Sequence, residues 1–182
     1  DAGNHREAYD HYSRASEILE EIGNVEQNII ALLNTAAMAI KIGSLDEAES
    51  KTRKALDYAG KVGSTYINSG AINTLARILH IRGSNEKAGE LFLEALSMAE
   101  ELKNADLQLR YLGDLVEYYE QTGDYQSAFN YQKRHSALKQ KIVIEKQNMN
   151  LARMKTSFET REKEREAELY RLRNLELLSE KR

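Results

Sequence analysis

Proline, cysteine and tryptophan are all missing from this sequence, and glycine occurs only 10 times in 182 residues. A proline inside a helix costs about 3 kcal/mol, so a chain without one is free to run long helices unbroken. The lack of cysteine excludes disulfides, thiolate metal sites and cysteine nucleophiles. No apolar run approaches the roughly 20 residues that a membrane-spanning helix needs. The opening Asp1-Ala2-Gly3-Asn4-His5-Arg6-Glu7 has no charged-then-apolar secretory leader. It begins part-way into a repeat, and Ser179-Glu180-Lys181-Arg182 stops in mid-helix. The reading is therefore a piece of a longer, cytoplasmic protein. What remains is dominated by Ala, Leu, Glu, Lys, Gln and Arg, the good helix formers, and an all-α fold is expected.

Charge is divided unevenly. Residues 1–138 carry 14 Lys/Arg and 21 Asp/Glu, whereas residues 139–182 carry 12 and 8. An acidic body with a mildly basic tail argues against a nucleic-acid surface, which gathers basic residues on one face.

Gly3, Gly43, Gly83 and Gly123 recur every 40 residues. Five positions after each stands an alanine: Ala8, Ala48, Ala88 and Ala128. Twelve positions after each stand Ala15, Ala55 and Ala95, then His135 in the fourth copy. Two small-residue columns at one period identify an internal repeat of helical hairpins. In each unit a glycine supplies the left-handed turn that stops a helix. Acidic groups then favour the start of the next helix, and the alanines allow two helices to approach closely. Tyr12, Leu56, Phe92, Leu96, Leu115 and Tyr119 are expected to fill the spaces between helices. The turns predict helices over about 4–22, 25–42, 45–62, 65–82, 85–103 and 105–122, each boundary good to about two to four residues.

The segment from Leu115 to Ala128, with Tyr119, Gly123-Asp124-Tyr125 and Ala128 at their spacings, resembles a tetratricopeptide repeat. Asn34-Thr35-Ala36 and Leu75-Ala76 resemble the first helix of two further copies. The period of 40 exceeds the family's usual 34 or so, and the terminal proline of the family is missing. Longer helices follow, as in the tetratricopeptide regions of bacterial signalling proteins. The resemblance covers residues 1 to about 138 and implies a right-handed solenoid of about 3.5 repeats that binds a protein or peptide in its concave groove.

After Gly123 there is no glycine or proline for the rest of the chain. The last helix is expected to continue to the end, and at 1.5 Å per residue a helix over 125–182 spans about 87 Å. One heptad register places Ile144, Leu151, Phe158 and Leu172 at a, with Met154 and Leu175 at d; Arg161, Arg165 and Glu168 interrupt it. A register through Glu162, Leu169 and Leu172 implies a stutter. Two readings stand: a solvated helix, or a parallel homodimeric coiled coil over 139–182. Glu168-Leu169-Tyr170-Arg171-Leu172-Arg173-Asn174-Leu175-Glu176-Leu177 resembles the linker that precedes diguanylate cyclase (GGDEF), adenylyl cyclase or histidine kinase domains. That resemblance implies a stalk relaying a signal to an output domain.

No catalytic chemistry is legible. His5, His11, His80 and His135 lack metal-ligand spacing, and no phosphate-cradling loop or nucleophile motif occurs. The reading is a binding module, not an enzyme, with no cofactor and no metal. Mapped on the repeat, the inward polar candidates are Asn34, Asn73, Arg77, His80, Arg110, Asp114 and Glu117, against the alternative of an ordinary solvated helix face. An asparagine amide suits the backbone of an extended peptide. Asn34 matches the asparagine that performs this role in peptide-binding members of the family, and Asn73 lies one residue off the frame. Arg77 and Arg110 suit a carboxylate. Tyr111, Tyr118 and Tyr119 are read as packing. A relay module and a passive docking scaffold both fit these residues.

Overall fold

Three of the recurring glycines, Gly43, Gly83 and Gly123, turn the backbone where their spacing predicts. A computed structural model describes the backbone of residues 2–180 and the side chains of 3–171 and 173. The helices are α1 (Ala2–Glu21), α2 (Val25–Lys41), α3 (Leu45–Val62), α4 (Thr65–Ile81), α5 (Asn85–Glu101), α6 (Ala105–Thr122) and α7 (Tyr125–Glu180). Gly23, Gly43, Gly63, Gly83 and Gly123 all have φ between 69° and 83°. At three of these stops the glycine and the residue after it bond back in one pattern. For example, Gly43 N–H donates to Ile40 O at 3.1 Å and Ser44 N–H donates to Ala39 O at 2.9 Å. These bonds satisfy carbonyls that the helix end would otherwise leave unpaired. Lys103 adopts the same left-handed turn at φ 51° without being glycine. Gly3, placed in the turn column by its spacing, lies inside α1 instead.

Helix starts are capped by side chains. The N–H groups of Gln27, Leu107 and Ser127 donate to Asn24, Asn104 and Asp124 at 3.3, 3.0 and 3.1 Å. Each cap satisfies one of the donors at a helix start that have no partner within the helix.

The described chain divides into two compact units, Asp1–Leu138 and Lys139–Arg182. In the first unit, hairpins α2–α3 and α4–α5 stack in order, and α2 also touches α4. Ala48, Ala55, Ala88 and Ala95 are fully buried, which places both alanine columns at helix crossings. The largest cluster joins Phe92, Leu96, Leu107, Tyr111, Leu112 and Leu115, with Tyr131 and Leu138 of α7 against it. Burying such side chains contributes roughly 1.5–3 kcal/mol each. Tyr12, expected inside, is instead 38% exposed, whereas Tyr9 on the same helix is buried and bonded to Glu47 of α3. His135 is half-buried where Ala55 and Ala95 are sealed. Among the described residues no later hairpin stacks on that column.

Gly89 shows how close the helices come. A Cβ there would sit 2.7 Å from the Tyr118 hydroxyl, which donates to Asn85 O at 2.9 Å. Tyr118 also meets Phe92 and, in a T-shaped arrangement, His80, at centroid distances of 5.5 and 5.1 Å.

Candidate interaction groove

Helices α2, α4 and α6 are the first helices of successive hairpins, and one stripe of each contributes to two adjoining depressions. The first, about 220 Å³, is lined by residues of five repeat columns together with Tyr66 and Tyr111. These columns read Ile30/Gly70/Arg110, Leu33/Asn73, Asn34/Thr74, Ala37/Arg77 and Ile67/Leu107, partners lying 40 apart in sequence. The second, about 120 Å³, is lined by Arg77, His80, Ile81, Phe92, Asp114, Glu117, Tyr118 and Gln121.

All seven polar positions expected to face inward therefore line one depression or the other: Asn34, Asn73 and Arg110 the first, His80, Asp114 and Glu117 the second, and Arg77 both. The alanine columns repeat from hairpin to hairpin because they serve packing. The groove columns diverge. The stretch on α2 carries no charge, α4 contributes Arg77, and α6 contributes Arg110, Asp114 and Glu117.

The polar groups are held in a definite arrangement. Asn73, 5% exposed, donates through Nδ2 to Asp114 Oδ2 at 2.7 Å. Its Oδ1 is buried with no hydrogen-bond partner in the protein. A carboxylate only accepts, so an ionised Asp114 fixes which end of the amide faces it. Leaving the other end unpaired costs about 1–3 kcal/mol. Burial pushes the Asp114 carboxyl above the usual carboxylate range; the Asn73 bond and the charges of Arg77 and Arg110 oppose this, and Glu117 adds to it. Among the described residues, neither Arg77 nor Arg110 has a carboxylate oxygen within 4.0 Å.

His80 is tied by both ring nitrogens, Nδ1 to Asn85 Oδ1 at 2.9 Å and Nε2 to Gln121 Oε1 at 2.7 Å. Gln121 donates to Glu117 at 3.0 Å. Tyr111 is buried, and its hydroxyl meets Ser69 Oγ at 3.2 Å. Burial raises the Tyr111 pKa above that of an ordinary phenol.

Sequence reasoning missed the apolar wall of Ile30, Leu33, Tyr66 and Ile67, and also Gly70, Thr74 and Gln121. The signal was present: Tyr66, Gly70, Asn73, Arg77 and His80 follow the three-and-four spacing of one helix face, as do Arg110, Asp114, Glu117 and Gln121. Searching that stripe for polar residues alone left out its apolar half.

In the second unit Ile144, Leu151, Met154 and Phe158, expected at a coiled-coil seam, are all exposed, Phe158 at 65%. The side chains of Leu172 and Leu175 lie outside the described residues. Among the described residues no cluster of three or more His, Asp or Glu is placed to hold a metal ion, and no helix is long and apolar enough to cross a membrane.

A tetratricopeptide-repeat family model matches residues 67–141. No curated protein matches the chain in sequence. Among solved structures, BtubC (BKLC) from P. vanneervenii superposes with TM-score 0.63 at 20% identity, over 75% of this chain and 57% of that one. A Rap protein complexed with Competence and Sporulation Factor gives TM-score 0.69 at 16% identity, over 75% of this chain and 38% of the other. A Podosopora anserina kinesin-light-chain protein with nearly identical TPR-like repeats gives TM-score 0.59 at 17% identity, over 77% and 69%. The matched stretch thus spans less than two thirds of each of the first two structures. The fold is that of TPR-like helical repeat solenoids.

Proposed function

We propose that this chain seats an extended segment of a partner protein in the groove of α2, α4 and α6, and that it dimerises through α7 to relay the occupancy of that groove to an output domain. The observation that carries the groove reading is the pair Arg77 and Arg110, which line one depression and have no carboxylate oxygen within 4.0 Å among the described residues. They take a carboxylate of the segment through charge-assisted bonds. Asn34 and the Ile30–Leu33 wall hold the neighbouring residue. Divergence of the groove columns beside constant alanine columns supports the same reading. One protein among the structural neighbours, the Rap protein, is itself complexed with a factor.

Dimerisation is supported by the exposed stripe Ile144, Leu151, Met154 and Phe158, continued in sequence by Leu172 and Leu175. Apolar residues at heptad spacing are buried when two copies pair. The charged stretch 159–168 makes a weak seam between apolar blocks, which suits two alternative packings. Light scattering on the whole chain tests this half. A dimer that becomes a monomer in Leu151→Asp/Phe158→Asp supports it, whereas a monomeric wild type removes the relay and leaves a docking scaffold. The groove half is tested by selecting random dodecapeptides displayed on phage against the whole chain. The expected yield is peptides with a recurring acidic position that is lost on Arg77→Gln/Arg110→Gln.

A further inference from the structure

The charges of the groove are sorted along its length. The first depression holds Arg77 and Arg110 and no carboxylate, whereas the second holds Asp114 and Glu117 with Arg77 shared between them. Asp114 is held by the Asn73 amide and Glu117 by Gln121, so both carboxylates are positioned by neutral groups. No lysine or arginine nitrogen lies within 4.0 Å of either among the described residues. Ion pairs are nonetheless formed freely elsewhere on this solenoid. Arg82 bridges to Asp46 and Glu49, Lys54 to Glu20, and Arg134 to Glu100. In the groove, by contrast, Arg77, Arg110, Asp114 and Glu117 all stay without an ion-pair partner among the described residues. The rings of Tyr118 and Phe92 form the apolar side of the second depression, a surface on which the stem of a long cationic side chain packs.

From this sorting we infer that the partner segment carries a lysine or arginine that enters the second depression between Asp114 and Glu117, at a fixed interval from the acidic group held by Arg77 and Arg110. This rests on the groove reading and gives it a direction, because an acid–base order fits the two depressions in one orientation only. Asp114 supports it on a separate ground. A carboxylate whose burial already works against its charge gains most from a cation that arrives with the partner. The cost of leaving Asn73 Oδ1 unpaired to hold Asp114 is explained in the same way.

The test extends the phage selection to Glu117→Gln and to Asp114→Asn/Glu117→Gln, each of the whole chain. Glu117 is exposed, and the amide introduced by Asp114→Asn retains an oxygen to accept the Asn73 bond, so folding is checked simply by helical circular dichroism. The expected result with wild type is a basic column at constant distance from the acidic one, with the basic column alone lost in the double variant. Replacing that arginine by citrulline in a selected peptide then weakens wild-type binding by about tenfold, the scale of one charged hydrogen bond, and leaves binding to the double variant unchanged. An acidic column with no basic one, or a basic column that survives in the double variant, overturns this inference and leaves the groove reading standing. Selection of neither column overturns both.

Discussion

Replacing Gly89 by alanine tests the closest helix approach in the solenoid, and its outcome follows from two opposing terms. Alanine is favoured over glycine in a helix interior by about 1 kcal/mol. The added Cβ, however, would sit 2.7 Å from Tyr118 Oη, 3.1 Å from Cζ and 3.4 Å from Cε1. Forcing an atom into a packed site costs about 1–3 kcal/mol, so Gly89→Ala should lose up to about 2 kcal/mol net. Tyr118→Phe alone removes the 2.9 Å bond to Asn85 O and should cost about 1 kcal/mol. In the double variant the obstructing hydroxyl is gone and the ring edge needs to yield by only a few tenths of an ångström. The helix gain then emerges, and the double variant should be no less stable than Tyr118→Phe. The two substitutions should therefore be coupled by about 1–2 kcal/mol in the favourable sense. Urea unfolding followed by circular dichroism measures this, with the m values compared because repeat arrays can unfold in parts. Effects that add to within about 0.5 kcal/mol, or a Gly89→Ala protein more stable than wild type, would refute the argument.

Asp114→Asn should stabilise the protein at neutral pH, since burial holds the carboxyl above its ordinary pKa. A raised carboxylate pKa lowers stability as pH rises through it, so the advantage over wild type should vanish in thermal melts below about pH 4. Lys103→Gly should raise stability by about 1 kcal/mol by relieving a left-handed non-glycine residue; no gain in urea midpoint would mean that the lysine side chain contributes there. Tyr9 is pushed up to about 12 by burial first and then by its bond to Glu47. Because the folded state holds this proton more tightly, stability should fall as pH rises from about 10 to about 12. Tyr9→Phe should flatten that part of an alkaline unfolding curve, and an unchanged slope would assign the loss to other groups.

Which parts of this protein were legible without coordinates follows from where the governing forces act. Helix type, helix stops and the repeat period depend on neighbours close in sequence, and the missing prolines, the 40-residue glycine spacing and the alanine columns state them directly. The inward stripe of α2, α4 and α6 was also accessible, because helical periodicity carries Arg77 and Glu117 to the face that Asn34 marks. Tertiary structure decided the rest. Asn73 and Asn34 are the same residue type on equivalent helices, yet only Asn73 meets Asp114, 41 positions away, and only its Oδ1 is left buried and unpaired. Tyr12 and Phe92 occupy one repeat column, yet one is exposed and the other sealed, because burial depends on whether a neighbouring hairpin covers the position. Nothing in the sequence marks Gly89, and only the Tyr118 hydroxyl lying against it shows why a side chain does not fit. Local interactions fix the elements; hydrogen bonds and close contacts between residues about 30–40 apart fix the groove, and these depend on helix stacking that no single segment encodes.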